Sequence, residues 1–181
     1  MKVTGIIRRI DNLGRIVIPK EFRRKYAIED YDFLELFASS EGGIVIKKHF
    51  PLSSLGNNIP EYAETLHWAL GCDTLICDKD AVIAFAGSNC KYYVGKEIHD
   101  DIRETIYHGN SVYRNHEELL NITSDSGQIN YEAQVITPIR CNEHPVGTII
   151  LLFQQSSPET LNQIMKLADT IAHLIERTIN Y

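Results

Sequence analysis

Apolar and polar positions divide the chain into two parts with different periodicities. In the first fifty residues the apolar positions come in short β-branched runs. Residues 5–10 predict a strand, Asp11-Asn12-Leu13-Gly14 a turn and residues 15–18 a second strand. Pro19 stands where a first helical position suits its fixed φ, and residues 20–26 predict a helix of barely two turns, with Phe22 and Tyr26 on one face. Residues 33–37 and 44–48 flank Ser39-Ser40-Glu41-Gly42-Gly43 and predict a hairpin.

The rest of the chain alternates helical and strand periods. Residues 60–70 predict a helix through Ile59, Tyr62, Ala63, Leu66 and Leu70, with Gly71 as its C-cap. Strands are expected at 74–77 and 82–85, and a helix at 97–107 carries Ile98, Ile102 and Ile106. Residues 109–130 hold few apolar anchors and read as loop, most clearly at Ser124-Asp125-Ser126-Gly127. Long strands at 131–140 and 146–153 meet at an Asn142-Glu143 turn. The pattern Ser156-Ser157-Pro158-Glu159 opens a last helix reaching about residue 179, with Leu161, Ile164, Ala168, Ile171 and Ile175 as its apolar seam. The seam suits packing on the sheet, against another chain, or both. The fold class expected is α+β: a small β domain, then helices flanking an antiparallel sheet. Residues 51–60 are rich in Pro, Ser, Gly and Asn, so the expected division is a first domain over 1–52, a linker over 53–58 and a second domain over 59–181.

Composition, 44% hydrophobic and 23% charged, is that of globular protein. No apolar run approaches the roughly 18 residues of a membrane span. The opening segment is interrupted by Arg8 and Arg9, so no secretory signal is expected. Four cysteines without an export signal suggest free thiols in a reducing cytoplasm.

Charge changes the picture more. The net −6 conceals ten Lys and Arg against seven Asp and Glu in residues 1–50, and eight against seventeen in residues 51–181. Arg8, Arg9, Arg15, Lys20, Arg23, Arg24 and Lys25 crowd into eighteen positions. Such a cluster is either a solvated basic face or a site for an anionic partner, and arginine forks suit phosphate and guanine edges. Fifty residues also bury too little surface to be stable alone, so a second copy or the rest of the chain must cover these strands.

The run from Thr4 to Arg24, with its basic strand, D-x-x-G-R turn, Val17-Ile18-Pro19 and paired Arg23-Arg24, closely resembles the AbrB-type swapped-hairpin DNA-binding domain. Ile44-Val45-Ile46-Lys47-Lys48 fits as well, and the resemblance spans about residues 4–51. It implies that two chains exchange hairpins into one dimeric β-barrel, and that Arg8, Arg15, Arg23 and Arg24, with Arg9 beside them, contact double-stranded DNA. One departure stands out: the family usually has Gly between the short helix and the next strand, where this chain has Glu29-Asp30-Tyr31-Asp32. Either Tyr31 takes a left-handed conformation at about 1–2 kcal/mol, or the turn is rearranged. Rearrangement is the expectation.

Residues 56–181 resemble a GAF domain in element order and in the pair Ile136-Thr137-Pro138-Ile139 and Pro145-Val146-Gly147-Thr148-Ile149-Ile150-Leu151. The combination implies a cytoplasmic transcription regulator of sporulation-stage genes, dimeric through its head and tetrameric through its second domain. An unidentified small-molecule effector is left open. Two other classes are an antitoxin of the same head fold and a GAF-type thiol reductase. Cys72 and Cys77 lack zinc-hook spacing, the histidines show no ligand pattern, and His99 with Asp100 and Asp101 reads as a solvated helix start, so no metal, cofactor or catalytic residue is expected. Cys90, Tyr92 and Tyr93 either line a ligand pocket or pack the core.

Overall fold

The computed structural model describes residues 5–88, 92–124, 131–155 and 160–179. The chain forms two compact units, Met1–His49 and Phe50–Tyr181.

In the first unit, helix α1 (Lys20–Lys25) precedes a hairpin of β1 (Phe33–Ser39) and β2 (Gly43–His49), paired from Phe33↔His49 to Ser39↔Gly43. Pro19 lies one position earlier than expected, as N-cap, its carbonyl accepting from the Phe22 and Arg23 N–H groups at 3.0 Å. The exit of α1 is tied to the hairpin by Lys48, whose ammonium donates to the Ala27 carbonyl at 3.1 Å and lies 3.2 Å from the Asp32 carboxylate. Residues 5–10 and 15–18 are not strands within the chain. A strand exists only through ladder partners, and these two segments form no ladder with β1 or β2. Their side chains Ile7, Ile10, Ile16 and Val17, with Leu36 and Ile44 of the hairpin, are exposed.

Tyr31 takes the left-handed conformation, φ +67°, rather than sitting in a rearranged turn. Asp32 explains why the strain is tolerated: its carboxylate accepts from the Glu29 N–H at 2.9 Å and pairs with Lys48, which fixes the loop around Tyr31. Tyr31→Gly is therefore expected to stabilise the first unit by about 1 kcal/mol, the relief being offset in part by the freedom glycine adds to the unfolded chain. Denaturant unfolding of the full chain reads this; a variant no more stable than its parent contradicts it.

The second unit begins earlier than its composition suggests. Pro51–Leu55 form a 3-10 helix with Pro51, Leu52 and Leu55 buried. Three residues make one turn of such a helix, so Leu52 and Leu55 share an inward face. A Pro- and Ser-rich run signals irregular backbone, which is not the same as exposed linker. Helix α2 (Asn58–Leu70) ends at Gly71, and β3 (Asp73–Asp78), β4 (Val82–Ala86), α3 (Asp100–His108), β5 (Val112–Asn115), β6 (Ala133–Cys141), β7 (His144–Phe153) and α4 (Leu161–Thr178) follow. The sheet is antiparallel in the order β4-β3-β7-β6-β5. Helices α2 and α4 touch each other and pack on β3, β4 and β6, whereas α3 packs on β6 and β7.

Helices on both faces explain why β7 reads Ile149-Ile150-Leu151-Leu152 without alternation, since every one of these side chains is buried. Toward α3, Leu75, Ile136, Ile150 and Leu152 meet Ile102 and Ile106 in one core. The β6–β7 turn is Asn142-Glu143, both at positive φ, as a two-residue hairpin of this hand requires. Residues 109–130 are not all loop: Val112–Asn115 is an edge strand on β6, and His116–Glu118 a 3-10 turn. Only Val112 and Tyr113 carry strand preference there, so pairing with β6 rather than local pattern makes the strand. Asp125-Ser126-Gly127 and the Ser156–Glu159 capping pattern lie outside the described residues.

Candidate nucleic-acid interface

The basic cluster is built on a turn and a helix. In the turn, one oxygen of Asp11 accepts the Leu13 and Arg15 N–H groups at 2.9 and 2.8 Å, and the other takes the Arg15 Nε–H at 2.8 Å. Gly14 closes it at φ +77°. These bonds favour the ionised carboxylate, the Arg15 backbone first, and hold the Asp11 pKa below its ordinary 3.8. The lock is thus complete in the neutral range and weakens only as pH falls below the usual carboxylate range. The Asp11–Arg15 pair fixes one side of the Arg15 guanidinium while the side chain stays exposed.

In α1, Lys20, Arg23 and Arg24 recur at i, i+3 and i+4 and share one face. Arg23, Arg24 and Lys25 occupy its last turn, where the helix dipole favours cations. Arg23 reaches Asp30 at 3.2 Å, an exposed pair that a phosphate can displace at little cost. Lys25 lies over the Tyr26 ring, 5.3 Å from its centroid. Arg8, Arg9, Lys20 and Arg24 are exposed and hold no ion pair or hydrogen-bonded side-chain partner among the described residues. All seven basic residues singled out in the sequence therefore fall within the first unit. The tethers of Arg15 to Asp11 and Arg23 to Asp30 were not anticipated, although the opposite charges four apart around a turn glycine were a signal for the first.

Of the pocket residues singled out in the second unit, Tyr92 and Tyr93 are described. Tyr93 is buried and stacks on Phe85, ring centroids 5.5 Å apart; Tyr92 is exposed; Cys90 lies outside the described residues. Tyr93 is packing. Burial pushes the Cys72 thiol up to about 11 and moves Cys77 and Cys141 upward as well. His99 N-caps α3, its Nδ1 facing the Asp101 N–H at 3.3 Å. Among the described residues no group of three or more His, Cys, Asp or Glu could hold a metal ion, and no helix is long and apolar enough to cross a membrane.

The comparisons with known proteins separate along the same two units. Residues 7–49 match the antidote–toxin recognition family MazE, a bacterial antitoxin family. Over 51 residues, 28% of this chain and 52% of its relative, the sequence is 49% identical to the transition state regulatory protein AbrB of Bacillus subtilis (strain 168). Among solved structures, the cofactor binding GAF domain of the nutrient sensor CodY from Clostridium difficile matches 72% of the chain and 91% of its own, with a TM-score of 0.52 at 16% identity. A type II free methionine-R-sulfoxide reductase from Thermoplasma acidophilum matches 71% and 97%, with a TM-score of 0.51 at 11% identity. These two likenesses show the fold alone. The class of the protein, a DNA-binding transcription regulator, rests instead on likeness along the whole chain. Residues 54–180 match the stage V sporulation protein T C-terminal family, a transcription factor family, and the chain is 36% identical over 178 residues, 98% of each chain, to stage V sporulation protein T of Bacillus subtilis (strain 168). The chain belongs to the stage V sporulation protein T family.

Proposed function

We propose that this sporulation transcription regulator binds double-stranded DNA as a dimer through a swapped-hairpin barrel, with Arg8, Arg9, Arg15, Lys20, Arg23, Arg24 and Lys25 forming the interface. The observation that carries this reading is the exposure of the basic cluster, with four of its members free of ion pairs among the described residues. The apolar residues exposed along 5–18 and the hairpin support the dimer, because strand segments with apolar side chains need a second copy to supply ladder and core. Phosphate contacts fix the head on the duplex, and the arginine forks read guanine edges and groove shape. Footprinting on upstream regions of sporulation genes tests it: protected sites recurring among promoters are expected, and uniform coverage at every salt concentration overturns sequence preference.

The second unit is a cytoplasmic sensing or assembly domain that joins two dimers into a tetramer. Trp68 on α2 is 87% exposed and Leu174 on α4 is exposed too, an arrangement suited to a contact between copies. Sedimentation of Trp68→Glu is expected to show dimers where the parent is a tetramer; an unchanged mass excludes this face. The unit is not an enzyme in this reading. A thiol pushed up to about 11 is a poor nucleophile at neutral pH. Native Cys72, Cys77 and Cys141 are expected to resist iodoacetamide at pH 8 about a hundredfold better than in the unfolded chain, read by mass spectrometry. Rapid labelling of any of the three contradicts their burial. The antitoxin reading is disfavoured because the likeness to stage V sporulation protein T runs the full length of both chains.

A further inference from the structure

A cleft of about 400 Å³ lies between α4, the end of β6 and the turn joining α3 to β5. Arg140 supplies a guanidinium, while Asp169 and Glu176 of α4 supply two carboxylates. None of these forms an ion pair with another across the cleft. The Arg140 side chain has no hydrogen-bond or ion-pair partner among the described residues, so its fork is open.

The two acids are held without being used up. One oxygen of Asp169 accepts from the Ser111 hydroxyl, and one oxygen of Glu176 faces His173 Nδ1 at 3.2 Å. The second oxygen of each has no partner among the described residues. Gly109 keeps room for the arginine: a Cβ there would stand 2.8 Å from Arg140 Nη2, at a φ of +78° that side chains disfavour. Pro138, Met165 and Ala172 add an apolar wall.

This mixture restricts the ligand. A simple anion attracted by Arg140 meets two carboxylates, and a simple cation attracted by those meets the guanidinium. A molecule carrying both charges on an apolar body satisfies every group, and a cleft of this volume falls in the range of small-molecule sites. We propose that the cleft binds a small zwitterion of the amino acid or dipeptide class, its carboxylate on Arg140, its ammonium on Asp169 and Glu176, and its side chain on Met165 and Pro138. At 100° per residue, Leu174 lies about 200° around α4 from Ala172. The cleft and the exposed apolar side of the helix are therefore separate surfaces.

The proposal deepens the reading of the second unit as a sensor and rests on it, but its test does not depend on DNA. Calorimetric titration of the full chain would use L-leucine and leucyl-leucine, with N-acetyl-leucine and leucinamide as analogues lacking one charge each. Binding of at least one zwitterion is expected, weakened about tenfold or more by removal of either charge. Arg140→Gln and Asp169→Asn are each expected to weaken it to a similar extent; the second retains an acceptor for Ser111, so thermal unfolding should show it intact. Three results overturn the site: no heat with either zwitterion at millimolar concentration, binding by Arg140→Gln or Asp169→Asn as tight as by the parent, or loss of self-association in Arg140→Gln, which would make the cleft a contact between copies. None of these touches the assignment of the head to DNA.

Discussion

Arg24→Ala is expected to weaken DNA binding about ten- to a hundredfold. Arg24 stands on the same face of α1 as Lys20 and Arg23, is exposed, and has no carboxylate to compete with DNA among the described residues. A dimer loses two such contacts at once. If each arginine pairs with phosphate, the logarithmic salt slope becomes shallower by about 2; if it reads guanine, discrimination between sites falls by about 1–3 kcal/mol per contact. Fluorescence anisotropy at several salt concentrations separates the two. Arg23→Ala is expected to do less, because Asp30 already shares that guanidinium. Equal affinity of Arg24→Ala and its parent at every salt concentration contradicts the interface.

The second large effect concerns the fold that carries the head. Gly147 lies on the central strand β7, opposite Asp78 on β3 and Ile139 on β6. A Cβ there would stand 2.3 Å from the Cys77 carbonyl oxygen and 2.6 Å from the Leu52 side chain. Neither neighbour can give way: the carbonyl belongs to a paired strand, and Leu52 is buried in the 3-10 helix that opens the unit. Gly147→Ala is therefore expected to destabilise the second unit by about 2–3 kcal/mol and lower its melting temperature by about 10 °C. Scanning calorimetry of the full chain measures this, and an unchanged transition would mean that β7 can shift within the sheet.

Gly147 also shows what can be read from sequence. The run Pro145-Val146-Gly147-Thr148-Ile149 gave away the GAF-type hairpin, but only the structure supplies the reason for its glycine, a close approach between strands far apart in the chain. Helices α2 and α4 were legible because each carries its own apolar face, and β6 and β7 because long apolar, β-branched runs flank a turn. Strand β5 was not, because its identity comes from pairing with β6. The segments 5–10 and 15–18 show the converse: their residues are those of strands, but a ladder needs partners that the rest of the chain does not offer. Tyr31 is a further case, since its left-handed backbone is enforced by Asp32 and Lys48 rather than by its own preferences.

For the interface, the basic residue types in eighteen positions were sufficient to find the cluster. Which of them are tethered could not be read, because Asp30 meets Arg23 only through the fold of the loop after α1. The zwitterion cleft left no local pattern either. Arg140, Asp169 and Glu176 come from a strand and a helix more than twenty residues apart, and Ser111 from a turn earlier still. The overall charge of −6 concealed the main functional signal, since the acidic second unit outweighs a basic head of opposite sign. That acidic surface is expected to repel duplex DNA and leave the head as its docking face.

A dimeric basic head is expected to hold DNA through phosphate contacts. The most direct measurement is the affinity of the full chain for a promoter duplex as a function of salt. With about 6–10 phosphates neutralised by a dimer, the logarithm of the association constant should fall linearly with the logarithm of salt concentration, with a slope of about −5 to −9. A slope near zero, or no binding at low salt, would mean that the basic head does not hold DNA through its phosphates.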